Sequence, residues 1–465
     1  MSFVGLYTGL SGIRAGQAGL DTASNNIANA NTPGYTRQRV DLSAAHTFQS
    51  PYGKVGTGVT VDGVARLRDG FLDTRFRAAV GEGAEASVRA EFLASMERLS
   101  GEPDLGISSR MGELWAAMED WSNEPNSDAS RRQVLSELDG VSETFRSTAH
   151  AWDQLGEDTS ARLDATLGDV NRTLETLHED FNVRLENTDP DRLGPEVLDQ
   201  RDQLLDHLSE LTGATVRYND DQTVTVSLDG TELLGEDGPA AVAVDGDPAS
   251  VQVTSADGST TEPITASGEL GGLYRAVHED LPRWREQLDG LAETLATTIN
   301  GQNADGALAD GERGEDLLTF EADDPAGSLE LVSSDIGVLA AGTLTDPPTA
   351  PAAHDGSNAR AFADLRTAEL DRPDDAGTAT FESQLSDLIV GLAGDVRSSA
   401  ASQEAAEGVA TGAGLARSSQ HGVSVDEEMV DMVRYQRAVE ASARVMTTVD
   451  QMLDVLVNRV GIVGR

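Results

Sequence analysis

"SNNIANANTPGY", residues 24–35, is an unusual way to end a helix, and its reading decides the rest of the chain. Upstream of it Leu6, Leu10, Ile13, Gln17, Leu20, Ser24 and Ile27 recur four and three residues apart. That is a heptad seam, the pattern of a helix that buries one narrow stripe against a partner helix. Asn25, Asn26, Asn29 and Asn31 then follow, and asparagine competes with the backbone for hydrogen bonds and weakens a helix interior. Pro33 pushes Thr32 out of the helical region, and Pro33-Gly34 is a strong turn signal. The polar cluster at the root of this helix asks for a partner.

The far end supplies one. Val425, Met429, Met432, Gln436, Val439, Ala443, Met446, Asp450, Leu453, Val457 and Val460 repeat the same spacing, and Ser424 with Glu427 reads as a capping box that starts the helix. At 1.5 Å per residue the two stripes run roughly 54 Å and roughly 33 Å. Isolated helices are marginal in water, so the two ends are expected to pair with each other.

More helix lies between them. Met111, Leu114, Met118 and Trp121 form one stripe, ended by "SNEPNSD". Leu163, Leu167, Val170, Leu174, Leu177, Phe181 and Leu185 form a longer one, closed by Asp189-Pro190. Val197, Leu204, Leu208 and Leu211 follow, with Gly213 as a C-cap. Trp284 to Ile299 and Phe381 to Val396 carry two further stripes. From Ala214 to about Ile264 the period falls to two, with Asp-Gly pairs at 229–230, 245–246 and 257–258 where hairpins would turn. Residues 341–360 read as a Pro/Ala-rich loop, and 301–340 show no clear period.

The expected fold class is therefore mainly α with a β insert: an elongated, multi-domain chain with paired terminal helices in coiled-coil fashion, a long-helix bundle and a small antiparallel β domain. Residues 1–60 with 417–465 would form a terminal-helix assembly domain. Residues 61–212, 268–300 and 381–416 would form the bundle, 213–267 the β domain, and 301–380 a mixed strand and loop extension. The β domain, with its ends close together, is expected to be replaceable by a short linker.

Composition limits function. The 465 residues carry a formal charge of −46, unevenly spread: +3 over residues 1–80, −1 over 417–465 and −48 between. Such a surface repels nucleic acid. No run of 18 apolar residues is present, so no membrane insertion is expected. The N-terminus lacks the charged and apolar regions of a secretory signal, and the absence of cysteine fits a reducing compartment or an unfolded export route. Phosphate-loop, nucleophile-elbow and zinc-protease motifs are missing. His278-Glu279-Asp280 lacks a second histidine, and the acidic, glycine-rich 303–316 fails calcium-loop spacing. No enzyme activity, cofactor or metal is expected.

At both ends the chain resembles a known family. "GLDTASNNIANANTPGYTRQRV" (19–40) resembles the N-terminal signature of the axial proteins of the bacterial flagellum, the rod, hook and hook–filament junction subunits. Within that group Tyr35-Thr36-Arg37-Gln38 resembles the junction subunits. "SVDEEMVDMVRYQRAVEASARVMTTVDQML" (424–453) is similar to their ending. "LWAAMEDWSNEPNSDASRRQVLSE" (114–137) and "GELGGLYRAVHEDLPRWREQLDGLAETLATTIN" (268–300) resemble their helical middle. Arg437 and Val439 depart from the pattern, standing where Gln and an aromatic residue are expected.

The resemblance implies a structural subunit of the hook–filament junction, exported unfolded through the flagellar type III apparatus and located outside the cell. Its partners would be copies of itself in a ring or tube, the hook protein, the next junction protein leading to the filament, and an export chaperone. The implied assembly interface is Leu6, Leu10, Ile13, Leu20, Asn25, Asn26, Ile27, Asn29, Met429, Met432, Val439, Met446, Leu453 and Val457. The asparagine amides would hydrogen-bond between subunits without adding charge. Pro33, Gly34 and Tyr35 would turn the chain out of the core. A hook or rod subunit of the same family, a secreted coiled-coil adhesin or phage-tail-like tube, and an enzyme with its site in 214–380 are the competing readings.

Overall fold

The computed structural model describes residues 4–50, 53–186, 194–245, 250–345, 349–352, 355–372 and 377–455. A first helix, α1 (Val4–Ala28), leads into an antiparallel ribbon of β1 (Gln38–Ala44) and β4 (Val59–Arg66), prolonged by the hairpin β2 (Thr47–Ser50) and β3 (Gly53–Gly56). Then come α2 (Gly70–Leu99), α3 (Ile107–Asn123), the 49-residue α4 (Asp128–Thr176), a one-turn α5 (Val183–Glu186) and α6 (Pro195–Thr212). Seven strands follow: β5 (Thr215–Tyr218), β6 (Val224–Leu228), β7 (Thr231–Gly235), β8 (Gly238–Pro239), β9 (Ala241–Asp245), β10 (Ser250–Thr254) and β11 (Thr261–Ile264). The chain returns to helix in α7 (Gly268–Arg275) and α8 (Leu281–Ala304), passes the short α9 (Pro325–Ser328) and α10 (Ser357–Asp364), and ends in α11 (Phe381–His421) and α12 (Val425–Asp454).

Local chemistry places the breaks. Ser127 caps α4, and the turn before it is fastened by the Trp121 indole, which donates to the Pro125 carbonyl at 3.3 Å. Pro195 opens α6, where its missing N–H costs nothing, and Gly213 closes it in the left-handed region at φ +68°. The predicted stripe of Leu163–Leu185 is the second half of α4, carried on through a π turn at 177–182. The Asp189-Pro190 stop, the Gly246 turn and the Val457 and Val460 positions lie outside the described residues.

Two cores hold the middle of the chain. The first joins the end of α2, α3, the first half of α4, α8 and the start of α11, with Trp121, Phe145 and Trp152 fully buried. The described residues of 301–380 fold onto it as two-residue strand pairs, loops and α10, which insert Leu317, Leu318, Leu329 and Phe362. Amides on α8 hold these loops: Asn300 spans Leu317 and Leu318, and Asn303 donates to Glu315 and Val338 and accepts from Ala340.

The second core corrects an expectation. The strands form two sheets, β5-β6-β7-β8 and β11-β10-β9, but they do not pack only on themselves. Val224, Val226, Leu233, Val242, Val251 and Val253 share one buried cluster with Leu163, Val170, Leu174 and Leu177 of the α4 stretch and Leu205 and Leu208 of α6. Asn182 clamps both backbone groups of Val224 at 3.0 Å, and Asn171 clamps those of Val242 at 2.9 Å. The helices therefore rely on the strands to cover their apolar face. Replacing residues 214–266 with a Gly-Ser linker should expose side chains worth about 1.5–3 kcal/mol each in burial. We expect loss of the α4/α6 helical signal in circular dichroism and a lowered melting midpoint, not a trimmed but intact bundle.

Candidate assembly interface

α1 and α12 lie side by side, as their matching periods predict, yet the row that touches is displaced by one residue from the leucine stripe. A Cβ added to Gly5, Gly9, Gly12, Gly16 or Gly19 would run into Val449, Met446, Ser442, Val439 or Tyr435, at 2.5 Å for Gly16 on Val439. The backbones meet because these five residues have no side chain. Leu6, Ile13, Leu20 and Ile27 are consequently rotated to the flank and half-buried, and Leu10 is 37% exposed. On α12, Val439 and Met446 join the contact, Met432 and Leu453 are half-buried, and Met429 is 49% exposed. Hydrophobicity counting missed the glycine row, although its own spacing of four and three residues was there to be read.

The asparagine cluster is used inside the chain. Asn26 is 1% exposed and saturates its amide: the nitrogen donates to Gln38 O (2.9 Å) and Glu428 Oε2 (3.0 Å), and the oxygen accepts from the Tyr35 hydroxyl (2.8 Å) and Gln38 N (3.0 Å). Asn29 donates to the Asn25 carbonyl and side chain at 3.0 and 2.9 Å. Asn25 reaches Glu196 at 3.5 Å, and Asn31 is exposed. The role expected for Asn26 and Asn29, bonding between subunits, is thus replaced by bonding within one.

Glu428 is the only buried residue of the described α12, and Arg37 donates to it through Nε at 2.6 Å and to Glu427 through Nη1 at 2.9 Å. Ser424 caps the helix at 3.5 Å as read, but Glu427 turns to Arg37 instead of completing the box. Gly34 adopts φ +75°, and Gln203 donates to the Pro33 carbonyl at 3.0 Å, so the Pro-Gly turn delivers Tyr35 to Asn26 and Thr36 to α6. Burial, reinforced by Asp199, Glu196 and Glu428, pushes the Tyr35 hydroxyl up to about 12.

Behind the turn lies a network of buried Arg77, Arg201, Asp73, Asp199 and Asp202 with half-buried Arg66, Arg68, Arg417 and Asp206. Arg66 bridges Asp199 and Asp202 at 2.9 and 2.6 Å, and Arg417 bridges Asp73 and Asp206 at 2.8 and 2.6 Å. Arg77 meets Asp206 at 2.7 Å, Arg201 meets Asp202 at 3.1 Å, and Arg68 pairs with both Asp73 and Asp202. Thr36 N donates to Asp199 at 3.1 Å, and Asp69 N donates to His421 Nε2 at 2.8 Å. Burial holds the His421 imidazole below its usual range, with Arg68 and Arg417 assisting. β4, α2, α6 and α11 are thereby tied to the root of α1. Neither the network nor Glu428 was singled out in the sequence, where one Arg–Asp pair looks like any other.

Among the described residues no group of three or more His, Asp or Glu side chains could hold a metal, and no helix is long and apolar enough to cross a membrane. Residues 93–318 match the model of the flagellar hook-associated protein FlgK helical domain. Residues 6–36 match the flagella basal body rod protein model, and 417–459 the flagellar basal body rod FlgEFG protein C-terminal model. Flagellar hook-associated protein 1 of Bacillus subtilis is 31% identical over 100% of this chain and 99% of its own length. That of Escherichia coli is 27% identical over 67% of this chain and 59% of its own. A solved flagellar hook junction protein FlgK from Burkholderia pseudomallei shares the fold, with a TM-score of 0.65 over 74% of this chain and 100% of that one, at 14% identity. The chain belongs to the flagellar hook-associated protein 1 family. It is a structural component of the flagellum.

Two outcomes follow from this geometry. Gly16→Leu should force the helices apart, since a Cβ alone reaches Val439 at 2.5 Å, and overpacking costs about 1–3 kcal/mol or more. Limited proteolysis should then release α12 while the melting of the bundle stays unchanged. Because the raised Tyr35 hydroxyl is neutral in the folded chain, its contribution is full below the unfolded value near 10 and lost as pH climbs toward 12. In ultraviolet tyrosinate titration, Tyr35→Phe should remove an ionisation step that lies above the ordinary tyrosine range.

Proposed function

We propose that this chain is the subunit at the hook–filament junction, where it assembles with copies of itself through the α1/α12 pair, on the hook protein below and the next junction protein above. The single observation that carries the reading is the half-used surface of the terminal pair. Tyr7 is 66% exposed, Val430 61% and Val433 47%, and α12 buries one side chain against its own chain. A two-helix unit that leaves this much apolar surface uncovered is completed by neighbours of the same kind. The near-neutral terminal segments support it, since copies stacked within a Debye length of about 8 Å would otherwise repel.

The chain divides for this purpose into a terminal assembly unit (1–60 with 417–465), a helical body (61–212, 268–300, 381–416) with the strands of 213–267 on it, and the 301–380 extension. The interface between copies is drawn from Leu6, Leu10, Ile13, Leu20 and Ile27 on the flank of α1, and Met429, Met432 and Leu453 on α12. Export unfolded through the flagellar type III apparatus, with a chaperone holding the chain, places the assembled protein outside the cell.

Deleting residues 1–27 or 425–455 should leave the helical body folded and abolish the junction. In a strain lacking its own junction protein, the full chain with compatible partners restores swimming and the truncations do not. Swimming restored by a truncated chain would refute assembly through the paired ends.

A further inference from the structure

The glycine row on α1 carries an ambiguity that the rest of the molecule must resolve. Its members are spaced four, three, four and three residues apart, and so are the α12 residues that face them: Val449, Met446, Ser442, Val439 and Tyr435. Sliding α1 by seven residues, roughly 10 Å along its axis, again places glycines opposite this row. Gly12 would meet Val449, Gly16 would meet Met446 and Gly19 would meet Ser442. Ala23 and Asn26 would then face Val439 and Tyr435, so the glycine row fixes the face of contact while only two of its five positions oppose the slipped register.

Between the two helices, one buried polar contact does not survive the slide. Asn26 Nδ2 donates to Glu428 Oε2 at 3.0 Å, with both residues within a few per cent of full burial. Asn26 is itself fixed by Gln38 and Tyr35, and Glu428 by Arg37 Nε at 2.6 Å. A heptad slip would withdraw the amide and leave a buried carboxylate short of a donor, a penalty that falls on the wrong register alone. A polar side chain inside an apolar or small-residue seam has this use in coiled coils generally. We propose that Asn26 and Glu428, backed by Arg37, form the register key of the terminal helix pair. They are positioning residues: they set which surface of the pair faces outward, while the glycines supply the contact.

The chain has no cysteine, so disulfide trapping reads register directly. A Cβ at Gly12 lies 3.3 Å from the Ser442 Cβ, close to the spacing a disulfide needs. Gly12→Cys with Ser442→Cys therefore reports the native register, and Gly19→Cys with Ser442→Cys reports the slipped one. In the otherwise unaltered full chain, mild oxidation should close the first pair and not the second. Adding Asn26→Leu and Glu428→Leu should raise closure of the slipped pair at least about tenfold, with helix content unchanged. Glu428→Gln, which keeps an oxygen for Asn26, should retain the native pattern. If the doubly substituted chain still closes the native pair alone, register is set elsewhere and the proposal falls. It falls also if the native pair does not close in the unaltered background. The measurement needs only the free chain, so it is independent of the junction role proposed above.

Discussion

Nine charged side chains at the root of the terminal helices, five buried and four half-buried, hold four elements of the body in one arrangement. Replacing such ion pairs with well-packed apolar residues is often neutral or stabilising, so their value here is not mainly in folding energy. Their value is in direction. Arg66 on β4, Asp73 and Arg77 on α2, the three aspartates of α6 and Arg417 on α11 satisfy one another in one arrangement of four elements. Tyr218 joins from β5, donating to Asp202 at 3.0 Å and accepting from Arg77 at 3.1 Å. Burial alone would raise its hydroxyl, but Arg77, Arg68 and Arg201 outweigh that and draw it below its ordinary value. An apolar joint of the same area would tolerate sliding; this one does not.

Much of the architecture was legible because it is written in periods. The stripes at Met111–Trp121, Val197–Leu211 and Trp284–Ile299 lie on helices, the second of them bounded by Pro195 and Gly213, and the two-residue period of 214–264 became seven strands. What was not legible has physical reasons. α11 continues past Val396 to His421 through alanine, serine and glycine, which carry helix without an apolar signal. In β1 and β4 Val40 is the only buried apolar residue, so the alternation is faint. The strands were read as a separable body because pattern shows that a face is apolar and not what covers it.

The candidate interface divides in the same way. That the two ends pair, and that the asparagine-rich turn is their root, was readable from spacing and turn chemistry. Which residues touch was not, because a scale that scores hydrophobicity gives glycine nothing, and the leucines one position along drew the attention. Asn26 was singled out for a bond between subunits, and its partner within the chain was missed: Glu428 lies 402 residues away, and no local rule connects them. The acidity has a clearer place than before. Several aspartates neutralise arginines within the body, and the two terminal segments are the ones kept close to neutral.

The glycine row has one more consequence, for the order in which the molecule comes into being. Each glycine within a helix costs about 1 kcal/mol relative to alanine, so a segment holding five of them is a poor helix in isolation. Among the described elements α1 leaves the ribosome before the others, and α12, which makes its backbone approach worthwhile, after them. The α1 segment therefore gains its partner only when nearly all of the described chain has been made.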